Sequence, residues 1–222
     1  MIDPATQRQM VTSLSQVRKD HLARYVFATN LLDDCIEDSD KELVVLDAAC
    51  GVGYGSFILA EKGAKVFAVD NSSHALEWGE KYFNHPNITF LQLDLSADDW
   101  FKYLPSSTSI DAVVSFETLE HITFAERLVE DFSKLANILI SSVPNEEAYP
   151  YLTCFQGKPH PHHVRHYTID EYSALLLSWY STTYFYYQMG KYSEVESGEN
   201  KYARTLVSVS INHQEGENNE TV

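Results

Sequence analysis

Three carboxylates stand where a ligand would meet them. Asp47 lies in the apolar run LVVLDAA, Asp70 closes KVFAVD, and Asp94 closes ITFLQLD. Between the first two comes ACGVGYG, with Gly51, Gly53 and Gly55 at alternate positions, as in a tight turn that lets backbone approach a ligand closely. Asp70 falls 19 residues past Gly51, where a carboxylate accepts both hydroxyls of a ribose. Asp94 is placed to accept from an adenine amino group. Asp47 would repel a pyrophosphate beside the turn but suits an ammonium group, directly or through water. Three acidic groups after three successive runs make an electronegative crevice, suited to a nucleoside that carries a sulfonium and an ammonium group.

The second set of reactive side chains is imidazole. His121 follows the fourth apolar run, close to where the reacting end of such a ligand would sit, and is the first candidate for a base acting on a hydroxyl. The alternative is that Glu120 and His121 only cap or orient the next turn. Four of the nine histidines fall between His160 and His166, in PHPHHVRHY. Imidazoles are good metal ligands, but no Cys, Asp or Glu stands nearby in the chain to complete a set, so no metal site is expected. The segment is read instead as a substrate-facing lid or a solvated surface loop. In the lid reading His163 or His166 is a base or hydrogen-bond donor, Arg165 meets an anionic group and Tyr167 forms a wall.

Residues of these kinds need rigid elements to hold them. Apolar positions recur at helical spacing from Val17 to about Leu32. Strands are then predicted at 43–49, 65–70, 88–94, 110–116 and 136–143. Helices at 56–63, 74–83 and 125–135 and a short helix over DDWFKYL alternate with them. Ser72 or Ser73 is the expected N-cap of the second of these. A further helix over 168–180 opens with a capping box, Thr168 and Glu171. The runs 182–189 and 203–211 read as an antiparallel pair at the sheet edge. Alternating strands and helices specify an α/β fold, a mostly parallel sheet covered on both faces, with ligands at the carboxyl ends of its strands. The domain reading is a helical cap over 1–42, a main domain over 43–211 with a lid-like loop at 145–168, and a disordered tail at 212–222.

Composition narrows the partners. The 222 residues fit one domain, and a hydrophobic fraction of 44% supplies one core. A formal net charge of −16, with no basic cluster beyond Arg18-Lys19, counts against nucleic acid as a partner. No run of about 18 apolar residues indicates a membrane span, and no signal-peptide core is seen, so a cytoplasmic location is expected. The three cysteines, Cys35, Cys50 and Cys154, suggest no disulfide framework.

DAACGVGYG, AVD, LDL and SFETLEHI, in that order, resemble the class I S-adenosylmethionine-dependent methyltransferases. The resemblance covers residues 20 to 145. It implies a Rossmann-like fold with a seven-stranded sheet and S-adenosylmethionine as cofactor. SFETLEHI resembles the small-molecule O-methyltransferase subgroup, and HLARYVFA with HHVRHYT resembles, more loosely, methyltransferases of sugar and polysaccharide modification. By position, the backbone of Ala49, Cys50, Gly51 and Gly53 would cradle the methionine part of the cofactor. Asp70 would hold the ribose with Asn71 beside it, and Asp94 and Leu95 would meet the adenine. Phe116 and Glu117 would line the methionine end, while Tyr25 and Arg24 would close over the cofactor. SFET stands where enzymes methylating nucleobase amino groups carry (N/D)PP(Y/F), which lowers that reading. The expected reaction is methyl transfer to a small or carbohydrate-type acceptor, at oxygen. The alternatives are a nicotinamide-dependent oxidoreductase or epimerase, which Asp47 opposes, and a non-catalytic cofactor-binding subunit.

Overall fold

A computed structural model describes residues 8–34, 42–105, 109–190, 193–198 and 200–212. Strands β1 (Val44–Ala48), β2 (Lys65–Asp70), β3 (Ile88–Gln92), β4 (Ala112–Phe116) and β5 (Ile138–Pro144) pair in parallel in the order β3-β2-β1-β4-β5. The sheet continues with β8 (Thr205–Ile211), antiparallel to β5. Next come β6 (Thr182–Gln188) and the short β7 (Glu196–Ser197). Among the described residues eight strands replace the expected seven. The extra one is β7, two residues pairing with Tyr186 and Tyr187 at the far edge, too short to carry a periodic signal.

Among the described residues five α-helices join the sheet: α1 (Lys19–Asp34), α2 (Tyr54–Glu61), α3 (Ser73–Tyr82), α4 (Ala125–Leu135) and α5 (Ile169–Leu177). Ser72 caps α3, and the Thr168–Glu171 capping box is formed at α5. DDWFKYL makes only a 3-10 turn, Trp100–Tyr103. Trp100 is buried there, and its Nε1 donates to Asp131 at 3.1 Å.

Successive strand residues point to opposite faces, and this assigns the core. Leu46, Phe67, Val113 and Leu139 pack with Leu128 and Phe132 of α4 and Tyr172 of α5. Val45, Val66, Val114 and Ile140 pack with Ala28 and Leu32 of α1 and Leu59 of α2. Asp47 and Phe116 share the parity of Val45 and Val114, so both sit on the α1 side. The segment before α1, polar and unpatterned in sequence, is docked: Val11 is buried with Val52, Ala75 and Phe83, and its carbonyl accepts from Trp78 Nε1 at 2.7 Å. Cys35 and most of the acidic connector 33–42 lie outside the described residues, as do all but the first residue of the tail. Among the described residues no helix is long and apolar enough to cross a membrane.

Candidate active site

The chain runs from β1 outward to β3 and then returns to β4 on the other side of β1. Loops after β1 and β4 therefore leave in opposite directions and open a crevice at the strand ends. A cleft of about 590 Å³ occupies that position.

Its floor is the turn after β1. Ala49, Gly51 and Gly53 all have left-handed φ, at 64°, 59° and 78°. Cys50 N–H donates to the Val69 carbonyl at 2.9 Å, clamping the turn to β2. A side chain added at Gly51 would meet no atom within 4 Å and would project into the cleft, so the turn leaves a cradle that only glycine keeps open. Gly53 is different. It caps α2 against the Phe90 ring and does not line the cleft. Burial raises the Cys50 thiol well above its ordinary pKa, and Cys50 contributes backbone to the turn.

Asp70, 3% exposed, ends β2. Its Oδ2 accepts from Gly51 N–H and its Oδ1 from Ser72 N–H, each at 2.9 Å. Arg8 also reaches in, donating to Asp70 Oδ1 at 2.9 Å and to Asn71 Oδ1 at 3.1 Å. Asp94 is exposed on the cleft and accepts from Ser96 N–H at 2.9 Å, with Leu95 buried behind it.

Asp47 does not reach the cleft surface. It is fully buried, accepting from Tyr25 Oη at 3.0 Å and Ser56 Oγ at 2.6 Å. Burial pushes its pKa up to about 6, with the two hydroxyls opposing that rise. Direct contact with an ammonium group is thereby corrected. Its partner Tyr25 does line the cleft and packs edge-on against Phe116 with ring centroids 5.0 Å apart. Gly55 makes this possible, because a Cβ there would lie 1.9 Å from the Tyr25 ring. Arg24, 1% exposed, donates to Gln188 Oε1 at 2.9 Å and lies 3.8 Å from Glu117 Oε1, yet its Nε has no partner among the described residues. Glu117 is one of the few non-glycine residues with left-handed φ, at 53°. That backbone turns the chain from β4 into the 3-10 turn Leu119–His121.

The 145–168 loop folds over the far end of the cleft and is pinned to that turn. Val164 N–H donates to the Glu120 carbonyl at 2.7 Å, and His121 Nδ1 lies 2.8 Å from the His162 carbonyl. A carbonyl only accepts, so Nδ1 of His121 carries its proton and Nε2 of the neutral ring is a lone pair. The same logic orders a second chain. His166 Nδ1 donates to the Tyr149 carbonyl at 2.6 Å, which leaves His166 Nε2 to accept from His163 Nδ1 at 2.7 Å. His163 Nε2 is thus also unprotonated. Burial lowers the pKa of His121, and burial followed by the neighbouring imidazoles lowers that of His163, keeping both rings neutral. His121 and His163 line the cleft. His166, 3% exposed, stands behind His163 and outside it, so it positions a ring rather than meeting a substrate.

Two expectations fail on geometry. Arg165 pairs with Glu171 at 2.9 Å and stacks over Tyr167, and neither lines the cleft; Tyr167 is 2% exposed and belongs to the core. A cation that does line the cleft is Arg204 of the segment before β8, 3.8 Å over the Tyr149 ring. The absence of a carboxylate beside the histidines is corrected too. Glu120 and His121 come from a different loop, and one ligand atom each of Glu120, His121 and His163 lie within 4.8 Å of one another. Sequence distance hid this set. Arg8 was missed because its segment has no periodicity, and Ser56 because a lone serine in an apolar helix carries no signal.

Residues 45–139 match the family model described as a methyltransferase domain. A probable S-adenosylmethionine-dependent methyltransferase of Mycobacterium tuberculosis is 29% identical over 140 residues, which cover 60% of this chain and 46% of that protein. Malonyl-[acyl-carrier protein] O-methyltransferase of Acetivibrio thermocellus is 29% identical over 45% of this chain and 44% of its own length. The chain thus spans less than half the length of these relatives. Among solved structures, the small RNA methyltransferase HEN1 superposes with a TM-score of 0.65 over 89% of this chain and 26% of that one, at 18% identity, a likeness of fold alone. The sheet order, the matched domain and the named relatives agree: residues 45–139 carry a methyltransferase domain, and the chain is similar to S-adenosylmethionine-dependent methyltransferases.

Proposed function

We propose that this chain methylates an oxygen of a small or carbohydrate-type acceptor that enters at the histidine end of the cleft. The observation that carries the reading is the pair His121 and His163, two neutral imidazoles whose Nδ1 protons are committed elsewhere and whose Nε2 lone pairs remain available beside the end of β4. A relative named for O-methylation is consistent with oxygen. The formal charge of −16 favours a small acceptor over nucleic acid.

The cleft suits the cofactor on this structure's own terms. The Gly51 cradle is open, Asp70 is fixed by two backbone N–H groups, and the buried Arg24 has an unpartnered Nε for the methionine carboxylate. Bound S-adenosylmethionine supplies a methyl group on a sulfonium that leaves as a neutral thioether. The chain's residues do the rest. Asp70, with Asn71 at its side, would accept the ribose hydroxyls. Asp94 and Leu95 would hold the adenine. The backbone of Ala49 to Gly51, with Glu117, would hold the methionine portion. Tyr25 and Phe116 wall the reacting end and exclude water, which makes orientation and desolvation effective. Nε2 of His121, with His163 beside it, draws on the acceptor's hydroxyl proton. Residues 8–34 act as the cap over the cofactor and 145–168 as the acceptor-side loop.

Isothermal titration with S-adenosylhomocysteine tests the cofactor end, with NAD and Asp70→Ala as controls. A turnover screen over sugar nucleotides and small hydroxy acids tests the acceptor end. Binding of NAD in place of S-adenosylhomocysteine would overturn the reading. Turnover confined to RNA would overturn the acceptor class.

A further inference from the structure

Glu120 is 0% exposed, and neither of its carboxylate oxygens has a hydrogen-bond partner among the described residues. A buried carboxylate left without partners is costly, and such groups are ordinarily paired or bound to a cation. Arg24 is the cation nearby, but it donates to Gln188 and sits by Glu117 instead. What does face Glu120 is imidazole. The ligand atoms of Glu120, His121 and His163 gather within 4.8 Å of one another, and the two rings meet at a centroid distance of 4.6 Å.

The hydrogen bonds around these rings fix their tautomers. His121 gives its Nδ1 proton to a backbone carbonyl. His163 gives its own to His166, which is held by the Tyr149 carbonyl. Each ring therefore offers an unprotonated Nε2, oriented by a partner on its other nitrogen. This is the outer support that metal-binding histidines have.

We propose that Glu120, His121 and His163 bind a divalent first-row transition-metal cation at the acceptor end of the cleft. Two imidazoles and one carboxylate suit such ions, and three protein ligands leave coordination positions open. All three residues line the cleft, so an acceptor oxygen can take an open position. The inference rests on the methyl transfer proposed above and replaces its direct His121 base, because an Nε2 that binds the cation cannot also take the acceptor's proton. With the cation in place, His121 and His163 act on the acceptor through it. The acceptor hydroxyl becomes a ligand, its acidity rises, and its proton passes to solvent water.

The test uses the full chain, tag removed and treated with a chelator, titrated with Co²⁺ and followed by calorimetry and visible absorption. S-adenosylhomocysteine is titrated in parallel. One Co²⁺ per chain is expected, with affinity lowered at least tenfold in Glu120→Gln and in His163→Ala and unchanged in His74→Ala, a surface control. Both variants should still bind S-adenosylhomocysteine. Should Glu120→Gln fail to fold, His163→Ala carries the test. No binding by the wild type, or binding indifferent to Glu120→Gln and His163→Ala, overturns the site. Loss of cation binding with intact S-adenosylhomocysteine binding leaves the methyltransferase reading standing; the reverse pattern separates the two the other way.

Discussion

The guanidinium of Arg8 lies 2.9 Å from the same Asp70 oxygen that a ribose hydroxyl would use. Arg8 comes from the segment ahead of α1 and is tied to Asn71 as well. If Asp70 holds the ribose as proposed, Arg8 would compete with it for one carboxylate oxygen. A partly exposed ion pair is worth about 0.2–1 kcal/mol. Arg8→Ala should therefore tighten S-adenosylhomocysteine by up to about fivefold, measured by titration calorimetry. Weaker binding in the variant would show that Arg8 holds the cofactor rather than competing with it.

Asp47 makes an unusual contribution to the pH dependence of stability. Its folded pKa is raised from 3.8 to about 6, so between these values the folded state binds more protons than the unfolded. Stability from this group is greatest below pH 4 and falls as pH rises through 6. Asp47→Asn should remove that slope. The difference in unfolding free energy between variant and wild type should shift by ~2–3 kcal/mol in favour of the wild type from pH 7.5 to pH 4. Urea denaturation at both ends measures it, and a constant difference would contradict the assignment.

Gly55 and Tyr25 form a testable pair. A Cβ at Gly55 would sit 1.9 Å from the Tyr25 ring, so Gly55→Ala must displace a side chain that also holds Asp47. Overpacking of this kind costs about 1–3 kcal/mol. In a Tyr25→Ala background the same change should cost much less, and a double-mutant cycle of unfolding measurements reads the coupling. Additive effects would mean the ring relaxes freely.

His166 accepts the Nδ1 proton of His163 and lies outside the cleft. Its removal should leave cofactor affinity within about twofold and lower acceptor turnover by about 10–100-fold, as for other groups that orient a functional histidine. Once an acceptor is found, steady-state kinetics of His166→Ala against both substrates settles this. A loss confined to cofactor binding would sink it.

The linear chain is informative wherever the cause is local. Short apolar runs such as LVVLDAA, KVFAVD and IDAVVSF, alternating with helices, specify the parallel sheet, and the end of KVFAVD places Asp70 at a strand end. Thr168 and Glu171 mark the start of α5 because a capping box involves only four consecutive residues.

What only the tertiary structure decided is long-range pairing. Whether Asp47 faces a ligand or a hydroxyl depends on where α1 crosses the sheet, which no pattern in β1 encodes. Arg165 and His166 are neighbours of His163 in sequence, yet the loop turns Arg165 outward to Glu171 and His166 inward to Tyr149. Glu120 meets His163 across 43 residues because the loop after β5 folds back onto the turn after β4. Sequence determined which chemical groups this protein has and which local elements carry them. Packing of the loops and of α1 decided which of those groups share one cleft, because side-chain encounters between distant segments depend on the whole fold rather than on neighbouring residues.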